Sequence, residues 1–297
     1  MPQLALKIDV DTYRGTREGV PRLIDALTRH GAQATFFFSL GPDHTGRAIW
    51  RVFRPGFLRK VSRTSVLEHY GLKTLLYGTL LPGPDIGRRC ADVMRAVRDA
   101  GFETGIHCYD HVRWQDQVMG QNEQWTRHEL QLAVDRYTEI FGEPPKSHAA
   151  AGWQMNRHAL RLMQRMGFDY SSDTRGTRPF TPVWNAEIIA CPQLPTTLPT
   201  LDEIVNRDGI TLENVAQHLL RLTAIPPATG HVFTLHAELE GSKWMPVFEQ
   251  LLSGWKEQGY EMVSLRHYLA GLQGSLPRHE VVMDEIEGRS GTLAMQA

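Results

Sequence analysis

Short apolar stretches alternate with amphipathic ones along nearly the whole chain, and that rhythm leaves few folds open. Residues 4–8, 34–39, 102–107, 168–171, 231–236 and 260–263 read as strands. The second of these is apolar enough to be covered on both faces. Helical patterns lie between them, at 20–30, 86–100, 123–141, 160–166, 212–223 and 244–256. Pro21 stands in the first turn of the earliest helix and Gly31 just past its end. Gly101, Gly142 and Gly259 close later ones in the same way. Strand followed by helix, repeated, predicts an α/β fold built on a parallel sheet or barrel. No internal repeat is visible.

Two segments break the rhythm. Residues 41–85 insert roughly forty positions after the second strand, well beyond an ordinary βα loop. The tail after Leu276 is polar and Gly-rich in places, without periodicity, and reads as a wrap-around or partly ordered extension. The expected organisation is one catalytic domain over 1–275, interrupted by the 41–85 insertion and followed by an extension over 276–297. The chain's 297 residues, 41% hydrophobic and 22% charged, suffice for a single barrel with a substantial core.

Charge and cysteine usage exclude some functions. The formal net charge is −1, so no global basic excess points to nucleic acid. Cys90, Cys108 and Cys191 are far apart and form no CxxC pair, which argues against a disulfide framework and a cysteine zinc site. The start, MPQLALKIDV, shows no signal-peptide pattern. No run of about 18 apolar residues suggests a membrane span. The expected location is the cytoplasm, with attachment to a membrane face left open.

The chemistry clusters where strands end. Asp9 and Asp11 close the first strand with one valine between them, so both point to one side. Two such carboxylates repel unless a cation lies between them or one is protonated. They read as an Asp-rich turn, a metal site or an acid/base pair. His107 and His111 follow the third strand at i, i+4, a spacing that lets two imidazoles reach one ion. In a chain with 13 histidines that pair alone is weak. Its position strengthens it, because in parallel α/β folds the strand C-termini converge on one face. Asp11 with His107 and His111 makes a three-ligand set with open positions for water and substrate. Zn²⁺ suits it, and Co²⁺, Mn²⁺ or Ni²⁺ fit the same ligand types. His236 also ends a strand; it reads as a fourth ligand, a general acid or a core histidine.

Together these strand ends resemble the polysaccharide deacetylase, or NodB-homology, family (carbohydrate esterase family 4). Ile8-Asp-Val-Asp-Thr12 corresponds to its first motif, Glu103-Thr-Gly-Ile-His-Cys-Tyr-Asp-His111 to its histidine pair, and Thr234-Leu-His236 to its late motif. The resemblance spans residues 4–270 and implies a distorted (β/α)7-type barrel. It also implies Asp9 as general base, His236 as general acid, and Asp11, His107 and His111 as holders of a divalent metal.

A narrower resemblance is carried by residues 9–21, Ala-Ala-Ala-Gly-Trp at 149–153, Ser-Asp-Thr-Arg-Gly at 172–176, Leu-Pro-Thr-Leu-Asp-Glu at 198–203 and His-Ala-Glu-Leu-Glu-Gly at 236–241. These stretches look like the branch that deformylates 4-deoxy-4-formamido-L-arabinose linked to undecaprenyl phosphate. That branch serves the aminoarabinose modification of lipid A and polymyxin resistance. It implies a polyprenyl-phosphate-linked formamido sugar as substrate and a peripheral place on the cytoplasmic face of the inner membrane. Trp153, Asp173 and Arg175 become candidates for orienting the site, Asp173 through Arg175 or His236.

One departure stands out. The wider family's third motif supplies an arginine near the catalytic aspartate, and the branch leads one to expect it where this chain has Gln154. Arg175 is the candidate replacement; the alternative is that the role is absent. Arg14 and Arg17, just after the first motif, are candidates for the substrate's phosphate. In the insertion Arg51, Arg54, Arg59 and Lys60 interleave with Trp50, Phe53, Phe57 and Leu58, which fits either a helix at an anionic membrane surface or an ordinary helical subdomain. The competing functions are deacetylation of a chitin- or peptidoglycan-type sugar, hydrolysis of a small cyclic amide, and sugar-lipid binding without catalysis.

Overall fold

The computed structural model describes residues 1–48, 73–289 and 291–297. Seven strands, all paired in parallel, form the central sheet: β1 (Gln3–Val10), β2 (Thr35–Ser39), β3 (Glu103–Cys108), β4 (Ser147–His148), β5 (Tyr170–Ser171), β8 (His231–His236) and β9 (Glu261–Val263). The order runs β5-β4-β3-β2-β1-β8, and β9 pairs with the start of β1. The sheet is curled and wrapped by helices, the distorted barrel expected. Its open edges are bridged by an extended segment. Leu194 N–H donates to Ser171 on one side, and Thr197 N–H donates to Val232 on the other.

Alternation along β1 explains why both of its faces are buried. Leu4, Leu6, Ile8 and Val10 join the large cluster shared with the helices. Ala5 points the other way and packs with Phe37, Ala149, Tyr170, Val232 and Tyr268 in a second cluster that fills the interior. Lys7, Asp9 and Asp11 continue that inward row toward the strand's C-terminal end.

The helices Val20–His30 and Glu123–Phe141 match the sequence pattern, each closed by a left-handed glycine, Gly31 and Gly142. A five-residue π-helical turn, Gly15–Gly19, precedes the first of them. The expected helix at 86–100 is two helices, Ile86–Arg89 and Ala91–Asp99, broken where Cys90 leaves helical geometry. The two ends of the long insertion are pinched together: Asp43 N–H donates to Pro84, and Ile86 N–H donates to Gly41.

The tail, expected as a wrap-around or partly ordered extension, contains two strands. Strands β10 (Arg278–Glu285) and β11 (Thr292–Gln296) form an antiparallel pair. With β6 (Thr181–Trp184) and β7 (Glu187–Ile188) they build a second sheet, ordered β11-β10-β6-β7. Its partners lie about a hundred positions upstream, so local periodicity carried no sign of it.

Candidate active site

Asp9 and His236 are register partners on β1 and β8, which puts the two expected proton carriers side by side at the barrel mouth. Asp11 follows β1, His107 lies within β3, and His111 opens the helix His111–Gln117. Asp110 caps that helix by accepting from Arg113 N–H, fixing where His111 begins. His107 Nε2 is 3.2 Å from Asp11 Oδ1, and His111 Nε2 is 3.4 Å from Asp11 Oδ2. One donor atom from each of Asp11, His107 and His111 lies within 4.8 Å of the others.

This group fits a divalent metal. His107 Nδ1 is 2.7 Å from the Ala149 carbonyl, which fixes the proton there and leaves Nε2 with a lone pair facing the group. Asp11 Oδ1 is buried and has no hydrogen-bond partner among the described residues, the state expected of an atom awaiting a cation. Burial opposes ionisation of Asp11, but the His111 and His107 imidazoles outweigh it and hold the carboxyl below the usual range. Burial also works against a charged His107, and Asp9 and Asp11 together raise its pKa.

Asp9 is buried, and its two oxygens differ. Oδ2 is 3.3 Å from Lys7 Nζ, whereas Oδ1 lacks a hydrogen-bond partner among the described residues. The nearest ring nitrogen to Oδ1 is His107 Nδ1, at 3.9 Å. The cation at Asp9 is therefore a lysine on its own strand. Arg175 is engaged elsewhere: it donates to Glu203 Oε1 at 2.5 Å and to the Leu198 carbonyl at 3.0 Å. The expectation that its guanidinium serves Asp9 is corrected.

Asp173 is likewise redirected. Its Oδ1 accepts from the Ala150 N–H at 2.9 Å and lies 2.7 Å from His148 Nδ1, while Oδ2 accepts from Gln193. His148 and Asp173 are both fully buried, so Asp173 ties β4 to the segment after β5 and orients neither Arg175 nor His236. Trp153 is buried in left-handed backbone (φ 53°) beneath three cations: Lys7, Arg175 and Arg289. Arg14 and Arg17 are partly exposed in ion pairs with Glu18 and Asp92. Arg51, Arg54, Arg59 and Lys60 lie outside the described residues.

Sequence reasoning missed Lys7, His148, Glu238 and Glu240. Glu238 Oε1 accepts from the N–H groups of Asp11 and Thr12 and from the Thr12 hydroxyl, fixing the turn that presents Asp11. The fit is tight, since a Cβ on Gly15 would stand 1.9 Å from that oxygen. Glu240 Oε2 accepts from the His236 N–H at 2.8 Å, and burial pushes its carboxyl up to about 8. The alternating acids of 236–241 were the available signal.

A parallel barrel with an aspartate and two histidines at its mouth, and a second aspartate beside them, is suited to metal-assisted hydrolysis. The polysaccharide deacetylase family model matches residues 4–171, and the chain belongs to that family. A curated relative from Shewanella sediminis, named as a probable 4-deoxy-4-formamido-L-arabinose-phosphoundecaprenol deformylase ArnD, is 39% identical over 99% of this chain and 95% of its own. One of the same name from Wigglesworthia glossinidia brevipalpis is 32% identical over 95% of this chain and 98% of its own. Among solved structures, a putative polysaccharide deacetylase from Mycobacterium smegmatis superposes with TM-score 0.61 at 17% identity, over 96% of each chain. A peptidoglycan N-acetylglucosamine deacetylase gives 0.55 at 16% identity, over 93% and 90%. These two share the fold.

Proposed function

We propose that this protein is a metal-dependent C–N hydrolase that removes the formyl group from 4-deoxy-4-formamido-L-arabinose carried on undecaprenyl phosphate, in the aminoarabinose modification of lipid A. The observation that carries the chemistry is the convergence of Asp11, His107 and His111 beside a buried Asp9 with one unpartnered oxygen. The two full-length relatives named as deformylases support the substrate.

Asp11, His107 and His111 would hold the metal, which when bound would supply polarisation of the amide carbonyl and a more acidic water. Asp9 takes a proton from the attacking water through Oδ1. The water oxygen bonds to the formyl carbon as the C=O π bond opens onto its oxygen, and the C–N bond then breaks as that carbonyl re-forms. His236, carrying a proton, gives it to the departing amine. The products are formate and the free amino sugar on its lipid phosphate. Zn²⁺, Co²⁺, Mn²⁺ and Ni²⁺ all suit one carboxylate and two imidazoles, so metal identity follows availability.

No described helix is long and apolar enough to cross a membrane. The lipid substrate is met at the cytoplasmic face by peripheral contact through the basic and aromatic residues of the insertion, a reading supported by sequence and by the polyprenyl tail. Substitution of Arg51, Arg54, Arg59 and Lys60 by Gln reduces co-sedimentation with anionic vesicles on this reading; unchanged binding contradicts it. Arg14 and Arg17, adjacent to the first motif, are proposed to exchange their surface ion pairs for the substrate phosphate. The chemistry is tested by chelation followed by metal replacement. Activity disappears on chelation and returns with a divalent ion, and His111→Ala blocks the return. Activity indifferent to chelator overturns the reading.

A further inference from the structure

We propose that Lys7 is the positioning residue for Asp9: its ammonium holds the carboxylate by one oxygen and leaves the other turned to the attacking water. The inference rests on the reading of Asp9 as general base.

Lys7 and Asp9 are two positions apart on β1, so both side chains enter the barrel from the same row. Lys7 is fully buried. Its Nζ lies 3.3 Å from Asp9 Oδ2, donates to the Ser172 carbonyl at 3.1 Å, and stands 5.1 Å from the centre of the Trp153 ring. The carboxylate and the carbonyl are two acceptors for an ammonium, and the ring adds a cation–π contact. The ring face favours the charged form, because it attracts a cation and not a neutral amine. Burial, with the nearby Arg175 guanidinium, lowers the Lys7 pKa, and the charges of Asp9 and Asp173 offset that only in part.

The surroundings hold this arrangement in place. Trp153 donates through Nε1 to the Thr196 hydroxyl at 3.2 Å. The guanidiniums of Arg175 and Arg289 stand 5.0 and 4.9 Å from its ring, and Glu203 accepts from both. The arginines thus brace the ring on which Lys7 rests, while Lys7 reaches the carboxylate. A buried cation is costly unless it is paired and bonded. An apolar side chain of similar length would fill the space without that cost, so the ammonium's use lies in what it grips. An aspartate carboxylate turns easily about its last torsion. With Oδ2 gripped, Oδ1 is left unpartnered and facing His107.

The test compares Lys7→Met, Lys7→Arg and Lys7→Gln with wild type and Asp9→Asn. Each is loaded with metal and assayed on whichever of the formamido or acetamido arabinose phosphopolyprenols the wild type hydrolyses. Lys7→Met is expected to keep wild-type metal content and a KM within about threefold, while kcat falls about 100-fold; Lys7→Arg recovers at least about tenfold of that loss. A purely structural role would lower metal content or folding with kcat per metal unchanged. Lys7→Met with kcat within about threefold of wild type, beside an inactive Asp9→Asn, overturns the inference and leaves the base reading intact. An active Asp9→Asn, or a wild type inert on both substrates, overturns the reading beneath it and the inference with it. If Lys7→Met fails to fold, the Arg and Gln variants decide: at least tenfold higher kcat for Arg supports the grip, and equal kcat rejects it.

Discussion

Asp9 and Asp11 sit on the same strand end, two residues apart, yet the protein holds them by different means. On the β3 side Asp11 faces two imidazoles drawn from a single five-residue stretch, His107 to His111. On the β5 side Asp9 is gripped by Lys7, which rests on a layer collected from distant chain: Trp153, Arg175, Glu203 and Arg289 of the tail. On the metal side the two histidines are a local motif that closes over one turn against Asp11 of the first strand. The base side is a tertiary assembly whose members are drawn from Lys7 to Arg289. The first can be lost by one ligand; the second is sensitive to packing far from the chemistry.

The largest expected effects separate the two sides. Asp9→Asn should lower kcat about 10³-fold with metal content unchanged, whereas His107→Ala should lose metal and activity together. Metal analysis beside turnover checks this, and an Asp9→Asn that loses metal would merge the two sides into one. Next comes the acid beneath Trp153. Glu203→Gln leaves two largely buried guanidiniums, Arg175 and Arg289, without their shared carboxylate. Breaking buried pairs of this kind costs about 3–5 kcal/mol, read as a lowered denaturation midpoint. His107→Ala should leave that midpoint much less changed.

A smaller effect concerns the contact between the β1 and β8 turns. A Cβ on Gly19 would stand 2.1 Å from the Ala237 carbonyl oxygen, so Gly19→Ala forces two backbones apart. A cost of about 1–3 kcal/mol is expected in chemical denaturation. The smallest is a matter of pH. Burial raises Glu240 from an ordinary 4.5 to about 8 in the folded chain. A carboxyl raised in this way stabilises the fold below its unfolded value, and that contribution is lost as pH rises through about 8. Glu240→Gln, which keeps an acceptor for the His236 N–H, should therefore gain Tm relative to wild type between pH 5 and pH 9. A gap that stays constant across that range would count against a buried protonated acid there.

The same contrast governs what the sequence could reveal. The metal side was legible because its two histidines are close in sequence and all three candidate ligands sit at strand ends, where parallel folds gather ligands. The helices at 20–30 and 123–141 were legible through their terminal glycines. Lys7 was not, since a lysine inside a strand reads as an ordinary alternating residue until its neighbours are known. Arg175 and Asp173 were singled out, but their partners, Glu203 and His148, are chosen by tertiary packing. The sheet that β10 and β11 join escaped notice because β10 also pairs with β6, near residue 181.

The most direct measurement of the central claim is product release by the metal-loaded protein from formamido-arabinose phosphopolyprenol, with the acetamido analogue and a chitin oligomer in parallel. The account predicts formate from the first, abolished by chelator and by Asp9→Asn. Acetate from the analogue or the oligomer, with no formate, would contradict the deformylase assignment while leaving a metal hydrolase. No product from any of the three would contradict catalysis itself.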